Sequence, residues 1–283
     1  MAVIDGRLFI ITGATSGIGL ETARQLAGIG ARLVLVGRDP ARGTAAVDEI
    51  KRLAPRAAVE IHYADLARMD QVRELGAKLA ALPRIDVLIN NAGAFFWRRQ
   101  FTAYGLERTF ALNHMSYFLL TALLRDRIVA SAPARIVNVA SDAHRGATLD
   151  FDDLMGERRY HGYAAYQRSK LANILFTREL ARRLDGTGVT ANCLHPGFVA
   201  SRIGDNNGGL IGVGFGLAKR LAALTPQQGA ATSVYLASSP DVAGKTGGYY
   251  EKCAPATPSH AARDDAAALR LWQESARIAG IKP

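Results

Sequence analysis

Cysteine is scarce: Cys193 and Cys253 are the two in 283 residues, too few for a disulfide framework or a cysteine metal motif, so a reducing compartment is expected. Histidine is thinly spread. His62, His114, His144, His161, His195 and His260 never fall at metal-ligand spacing, so we expect surface or hydrogen-bonded rings and no metal. Long apolar runs are missing too. None approaches the roughly 20 residues of a membrane span, including the stretch around Leu210, and no signal-peptide pattern precedes the first strand. A cytoplasmic protein with no transmembrane segment is the expectation. Acidic residues fall short of basic ones, 25 against 35, which leaves a formal charge of +10. The arginines are nevertheless dispersed, in short pairs such as Arg98-Arg99, Arg158-Arg159 and Arg182-Arg183. No nucleic-acid partner is therefore expected, and the charge reads as solubility plus attraction for an anionic small molecule, with peripheral membrane contact left open. With neither linker nor repeat, and 49% hydrophobic residues, the chain is expected to bury one core as a single domain over residues 1–283.

Apolar strands alternate with helices from Leu8 to about Ala237. This order predicts an α/β fold, a single Rossmann-like doubly wound parallel sheet flanked by helices. A strand near Tyr249 and a charged amphipathic helix from about Ala262 to Ile278 complete it. Leu8 to Ile11 run into Thr12-Gly13-Ala14-Thr15-Ser16-Gly17-Ile18-Gly19, a strand, a glycine turn and a helix whose first amides face a bound anion. Its spacing differs from the general Gly-x-Gly-x-x-Gly pattern, although the mechanism is the same: glycine lets a backbone approach a pyrophosphate. The next strand ends at Gly37-Arg38-Asp39, about 20 residues on, where such folds read the adenosine ribose. A guanidinium there pairs with a 2′-phosphate, so Arg38 favours NADP(H) over NAD(H), while Asp39 caps the helix from Pro40. Asp65-Leu66 and Asn90-Asn91-Ala92-Gly93 close two further strands on the side where ligands collect.

Tyr166 and Lys170 are four residues apart, one helix turn, which brings an ammonium towards a phenol. A nearby positive charge favours the phenolate and makes tyrosine a usable proton donor. Ser141 stands upstream at the end of an apolar run.

From the glycine turn through Asn90-Asn91-Ala92-Gly93 and Tyr166-x-x-x-Lys170 to Pro196-Gly197, the chain resembles the short-chain dehydrogenase/reductase family over essentially its whole length. The resemblance implies Asn113 as the asparagine that holds a relay water and Ser141 as the serine that orients the substrate carbonyl. It implies Tyr166 as acid or base and Lys170 as the ligand of the nicotinamide ribose. The implied cofactor contacts are Gly13, Thr15, Ser16, Gly17, Ile18, Gly19, Arg38, Asp65, Leu66, Asn91, Ala92, Gly93, Tyr166, Lys170, Pro196, Gly197, Val199 and Ser201. Ser201 stands where the family usually has threonine.

Arg135 to His144, an insert with Leu149-Asp150-Phe151, Ser169 to Phe176, and the tail from Gly247 to Trp272 are similar to retinol dehydrogenases, the WW-domain oxidoreductase and protochlorophyllide reductases. That implies a lipophilic aldehyde, ketone or alcohol as substrate. Phe95, Phe96, Trp97, Phe198, Ile203, Leu210, Ile211 and Phe215 flank the expected site and suit such a ligand. Substrate loops are expected at about 144–165 and 198–225, the second with a glycine-rich lid over 204–216. Family members assemble as dimers or tetramers through their long helices, which the resemblance carries over. Two other readings stay open: a nucleotide-binding sensor or scaffold without turnover, and a reductase of a steroid or polyketide-like ketone.

Overall fold

Residues buried on both faces of a sheet read as unbroken apolar runs, and Leu8–Thr12 (β1) and Val87–Asn90 (β4) are buried at every position. The structure, a computed structural model, describes residues 4–198 and 224–282. Val199, Ser201, Ile203, Leu210, Ile211, Phe215 and the 204–216 stretch lie outside them. The remaining strands are β2 (Arg32–Gly37), β3 (Val59–Tyr63), β5 (Ala134–Val139), β6 (Val189–His195), β7 (Tyr249–Glu251) and β8 (Ala254–Pro255). They form one sheet in the order β3-β2-β1-β4-β5-β6-β7-β8, parallel except for the β7–β8 pair. Strand order reverses between β1 and β4, which pair from Phe9–Val87 to Ile11–Ile89. The carboxyl ends at such a reversal open into a crevice.

Helices α1 (Gly17–Gly28) and α2 (Pro40–Leu53) cover one face with α7 (Pro226–Ser238). Helices α3 (Met69–Ala80), α5 (Ser116–Ala130), α6 (Gly162–Arg183) and α8 (Asp265–Ala279) cover the other. Their ends follow ordinary capping chemistry. Asp39 accepts from the Arg42 amide at 3.0 Å ahead of Pro40. Thr225 and Gln228 form a capping box ahead of Pro226, Asp264 caps α8, and Gly280 closes it at φ +62°. Strand ends are tied by a buried polar ladder. Asn90 Nδ2 donates to Thr121 at 3.0 Å and to Asn138 at 2.9 Å, and Asn138 donates to Thr177 at 2.9 Å.

The insert after β5 differs from its expected extent. A 3₁₀ turn spans Asp142–Gly146, and helix α6 starts at Gly162, so residues 162–165 are helical rather than loop. His161 caps this helix by accepting from the Ala164 amide. The helix starts so close to the 96–97 backbone that a Cβ at Gly162 would lie 2.5 Å from the Phe96 carbonyl oxygen. Insert and backbone are also joined by Arg99 donating to the Gly156 carbonyl at 2.7 Å and Tyr160 donating to the Phe96 carbonyl at 3.0 Å.

Candidate active site

The glycine turn after β1 is folded by side chains from β4. Thr12 Oγ1 accepts from the Asn91 and Ala92 amides at 2.9 and 3.1 Å. Asn91 Nδ2 donates to the Thr12 and Gly13 carbonyls at 2.8 and 3.2 Å. Gly13 has φ +67°, and a Cβ on it would come within 2.8 Å of Ala92 Cα. A Cβ on Gly19 would overlap the Gly13 carbonyl and the Asn91 amide. Only glycine fits either position. Ser16 takes the N-cap position of α1, yet its hydroxyl makes no capping bond, so the helix opens with its first amides facing the cleft.

That cleft, about 370 Å³, is lined by Gly13, Thr15, Ser16, Gly17, Ile18, Gly19, Arg38, Asp65, Leu66, Asn91, Ala92 and Gly93. The structure thus brings together the residues named from the first four strand ends. It adds Asp39, Arg42 and Leu112, which the sequence does not assign to the site, and it lines the same cleft with Phe96, expected beside the substrate. Arg42 is one helical turn from Arg38, which is the signal that could have found it. Asp65 lines the wall while its Oδ1 accepts from the Ala67 amide at 3.1 Å. A glycine cradle, free helix amides and two exposed guanidinium groups fit a dinucleotide with a phosphorylated ribose. Pro196 and Gly197, the latter at φ +84°, follow β6 at the same edge of the sheet.

At the inner end of the cleft lies Gly93. A Cβ there would be 3.3 Å from Asn113 Oδ1 and 3.5 Å from Lys170 Nζ. Asn113 is wholly buried and sits in a π-helical turn, Ala111–Met115, between a one-turn helix α4 (Arg108–Phe110) and α5. Single π turns inside helices recur at functional sites because they re-aim one side chain. Here Asn113 Oδ1 accepts from the Ala94 amide at 2.9 Å, and Nδ2 donates to the Ala94 carbonyl at 3.0 Å and to Ser169 Oγ at 2.9 Å.

Lys170 is 2% exposed and donates to the Val139 carbonyl at 3.1 Å, beside Asn173 Nδ2, which donates to the same oxygen at 3.3 Å. Burial lowers its pKa to about 8. Its ammonium stands 5.7 Å from the centre of the Tyr166 ring, over the ring face. The spacing predicts this charge close to the phenol as the cause of its acidity. Instead, burial dominates and pushes Tyr166 up to about 12, while a hydrogen bond with the half-buried Ser141 hydroxyl pulls the other way. Ser141 therefore tunes Tyr166 more directly than Lys170 does in this geometry. An aromatic wall adjoins the phenol: Phe95 packs edge-on against Tyr166 at 5.7 Å, against Trp97 at 4.7 Å and against Tyr163 at 6.3 Å.

Among the described residues no group of histidine, cysteine or acidic side chains is arranged to hold a metal, and no helix is long and apolar enough to cross a membrane. His114 and His144 are both fully buried, a depth that their scattered positions did not signal.

Residues 7–212 match the short chain dehydrogenase family. The chain is 41% identical to retinol dehydrogenase 13 of Homo sapiens over 99% of its own length and 87% of that protein. An uncharacterised protein from Mycobacterium Paratuberculosis has a crystal structure 30% identical in sequence, with a TM-score of 0.81 over 100% of this chain and 96% of the other. A short-chain dehydrogenase from Sphingobium yanoikuyae in complex with NADPH is 26% identical, with a TM-score of 0.65, over 81% and 82% of the two chains.

Proposed function

The chain belongs to the short-chain dehydrogenase family, an oxidoreductase family acting on alcohols and carbonyls, and from that premise we propose an NADP-dependent enzyme that interconverts a lipophilic aldehyde or ketone and its alcohol. The observation that carries this reading is the meeting at Gly93 of a dinucleotide-shaped cleft with Asn113 and Lys170. The cofactor would lie with its pyrophosphate on the α1 amides and its ribose phosphate between Arg38 and Arg42, and when bound it supplies or accepts the hydride.

The side chains do the rest. As the carbonyl carbon gains hydride, charge develops on its oxygen, and the hydroxyls of Ser141 and Tyr166 are the donors that stabilise it. Tyr166 surrenders its proton to that oxygen and leaves as phenolate. The Ser141 hydrogen bond and the Lys170 ammonium over the ring both favour this anion. Asn113 fixes the strand-end backbone at Ala94 and, through Ser169, the turn of the helix that carries Tyr166 and Lys170, since Ser169 also donates to the Tyr166 carbonyl at 2.7 Å. The wall of Phe95, Trp97 and Tyr163 supports an apolar substrate, and the relative at 41% identity is a retinol dehydrogenase.

The test is NADPH and NADH consumption with a panel of lipophilic aldehydes and ketones including retinal, run with Tyr166→Phe and Arg38→Ala. Turnover is expected with NADPH, at least about a thousandfold lower in Tyr166→Phe, whose NADPH affinity is unchanged. Arg38→Ala should weaken NADPH about tenfold or more and leave NADH nearly untouched. Tight NADPH binding without turnover on any carbonyl would favour a sensor over an enzyme.

A further inference from the structure

His144 follows Ser141 by three residues, on the 3₁₀ turn Asp142–Gly146, and is wholly buried. Its Nδ1 lies 2.7 Å from the Ser141 carbonyl oxygen, and its Nε2 lies 3.0 Å from the backbone nitrogen of Ser259. A carbonyl only accepts and an amide N–H only donates, so the two partners fix the ring as the neutral tautomer with its proton on Nδ1. We propose, resting on the reading of Ser141 and Tyr166 as catalytic groups, that His144 is a positioning residue that holds the Ser141 peptide against the C-terminal segment and so aims the serine hydroxyl.

Ser141 has extended backbone, φ −166° and ψ 153°, directly beyond β5, and the direction of its side chain follows from how its peptide is held. The imidazole holds that peptide by its oxygen. A second tie runs in parallel, Arg145 Nη2 to the Thr257 carbonyl at 3.0 Å. Both ties end in a segment beyond residue 212, the limit of the family match. The groups facing the ring are Asp142 and Arg145 of its own turn, His195 at the end of β6, and Tyr249 of β7, whose ring centre is 5.3 Å away. A charged ring would turn an N–H towards the Ser259 N–H, so the clamp needs the neutral form.

Two substitutions separate the two contacts. The amide of glutamine reaches the place of Nε2, and that of asparagine the place of Nδ1. In His144→Gln the Ser259 contact survives and the Ser141 contact is lost. We expect kcat to fall about ten- to a hundredfold, with NADPH affinity unchanged. In alcohol oxidation, which needs Tyr166 ionised, the rise of kcat/KM with pH should move upward by about half a pH unit or more, because the bond that acidifies Tyr166 is weakened. His144→Asn, which keeps the Ser141 contact, should retain most of kcat and the original pH profile. Equal kcat and pH profiles in wild type and both folded variants, with only a lower Tm, would overturn the positioning role. Ring-nitrogen NMR of histidine-labelled protein checks the clamp with no substrate. A neutral Nδ1–H ring from roughly pH 5 to 9 supports it, and a ring that charges near its ordinary pKa, or carries its proton on Nε2, overturns it. Should no carbonyl be turned over, the proposed activity falls while the ring spectrum still decides the clamp.

Discussion

Lys170 is held at a cost to stability. Its pKa is depressed from 10.5 to about 8 by burial, so between those values the unfolded chain binds a proton that the folded chain does not, and stability rises with pH across that window. Below about pH 8 the buried charge is a standing penalty. Lys170→Met should therefore raise stability without added cofactor at pH 7 by about 1–3 kcal/mol, since the Val139 carbonyl keeps its bond from Asn173. The same change should abolish turnover. Thermal unfolding of the two proteins at pH 7 and pH 10 checks this: the gain should be present at the lower pH and shrink at the higher, and a loss of stability at pH 7 would refute it. Spacing alone places Tyr166 and Lys170 on one helix face, because four residues make about one turn, while their role is legible only together with the glycine turn, Asn91-Ala92-Gly93 and Ser141. What spacing did not reveal is that the ammonium sits over the ring face and that burial outweighs it, which depends on residues distant in sequence, Val139 and Ser141 among them.

At the scale of elements, the chain is plainest where local chemistry dictates shape. The Thr12 to Gly19 turn, the Asp39-Pro40 helix start, and β7 with the terminal helix all lie where their residues announce them. The π turn at Ala111–Met115 does not, since Ala111-Leu112-Asn113-His114-Met115 would continue an α-helix equally well. Its shape is set by tertiary contacts, above all by Asn113 gripping both polar groups of Ala94. Asn113→Ala should thus leave the Ala94 amide and carbonyl buried without those partners, at a cost of about 2–4 kcal/mol. It should also loosen the Ser169 hydroxyl beneath Tyr166. Urea unfolding reads the first effect. The second should appear as a larger loss in kcat than in NADPH affinity, and an equal loss in both would mean that the asparagine serves the cleft rather than the catalytic helix.

At the scale of the whole molecule, long stretches of the two central helices are covered from within the chain. In α6 every residue from Ser169 to Ala181 is buried except Arg178, and in α5 the burial is continuous from Ser116 to Thr121. The covering comes from the same chain. Trp272 of α8 packs against Phe118 at 5.0 Å and stacks on Phe176 at 5.9 Å, and Arg183 lies over its outer face at 4.4 Å. Helix α3 lies along α5. A buried stretch of helix needs partners on each of its sides, and α8 supplies one of them for both helices here, so the covered stretches 116–121 and 169–181 are withheld from a second copy. We expect a mass of one chain, 30.3 kDa, by light scattering at micromolar concentration. Trp272→Ala should remove about 2–4 kcal/mol of stability by uncovering Phe118 and Phe176, and should promote association by exposing that face. A wild-type dimer that the Trp272 change leaves intact would show that another surface, outside α5 and α6, joins the copies.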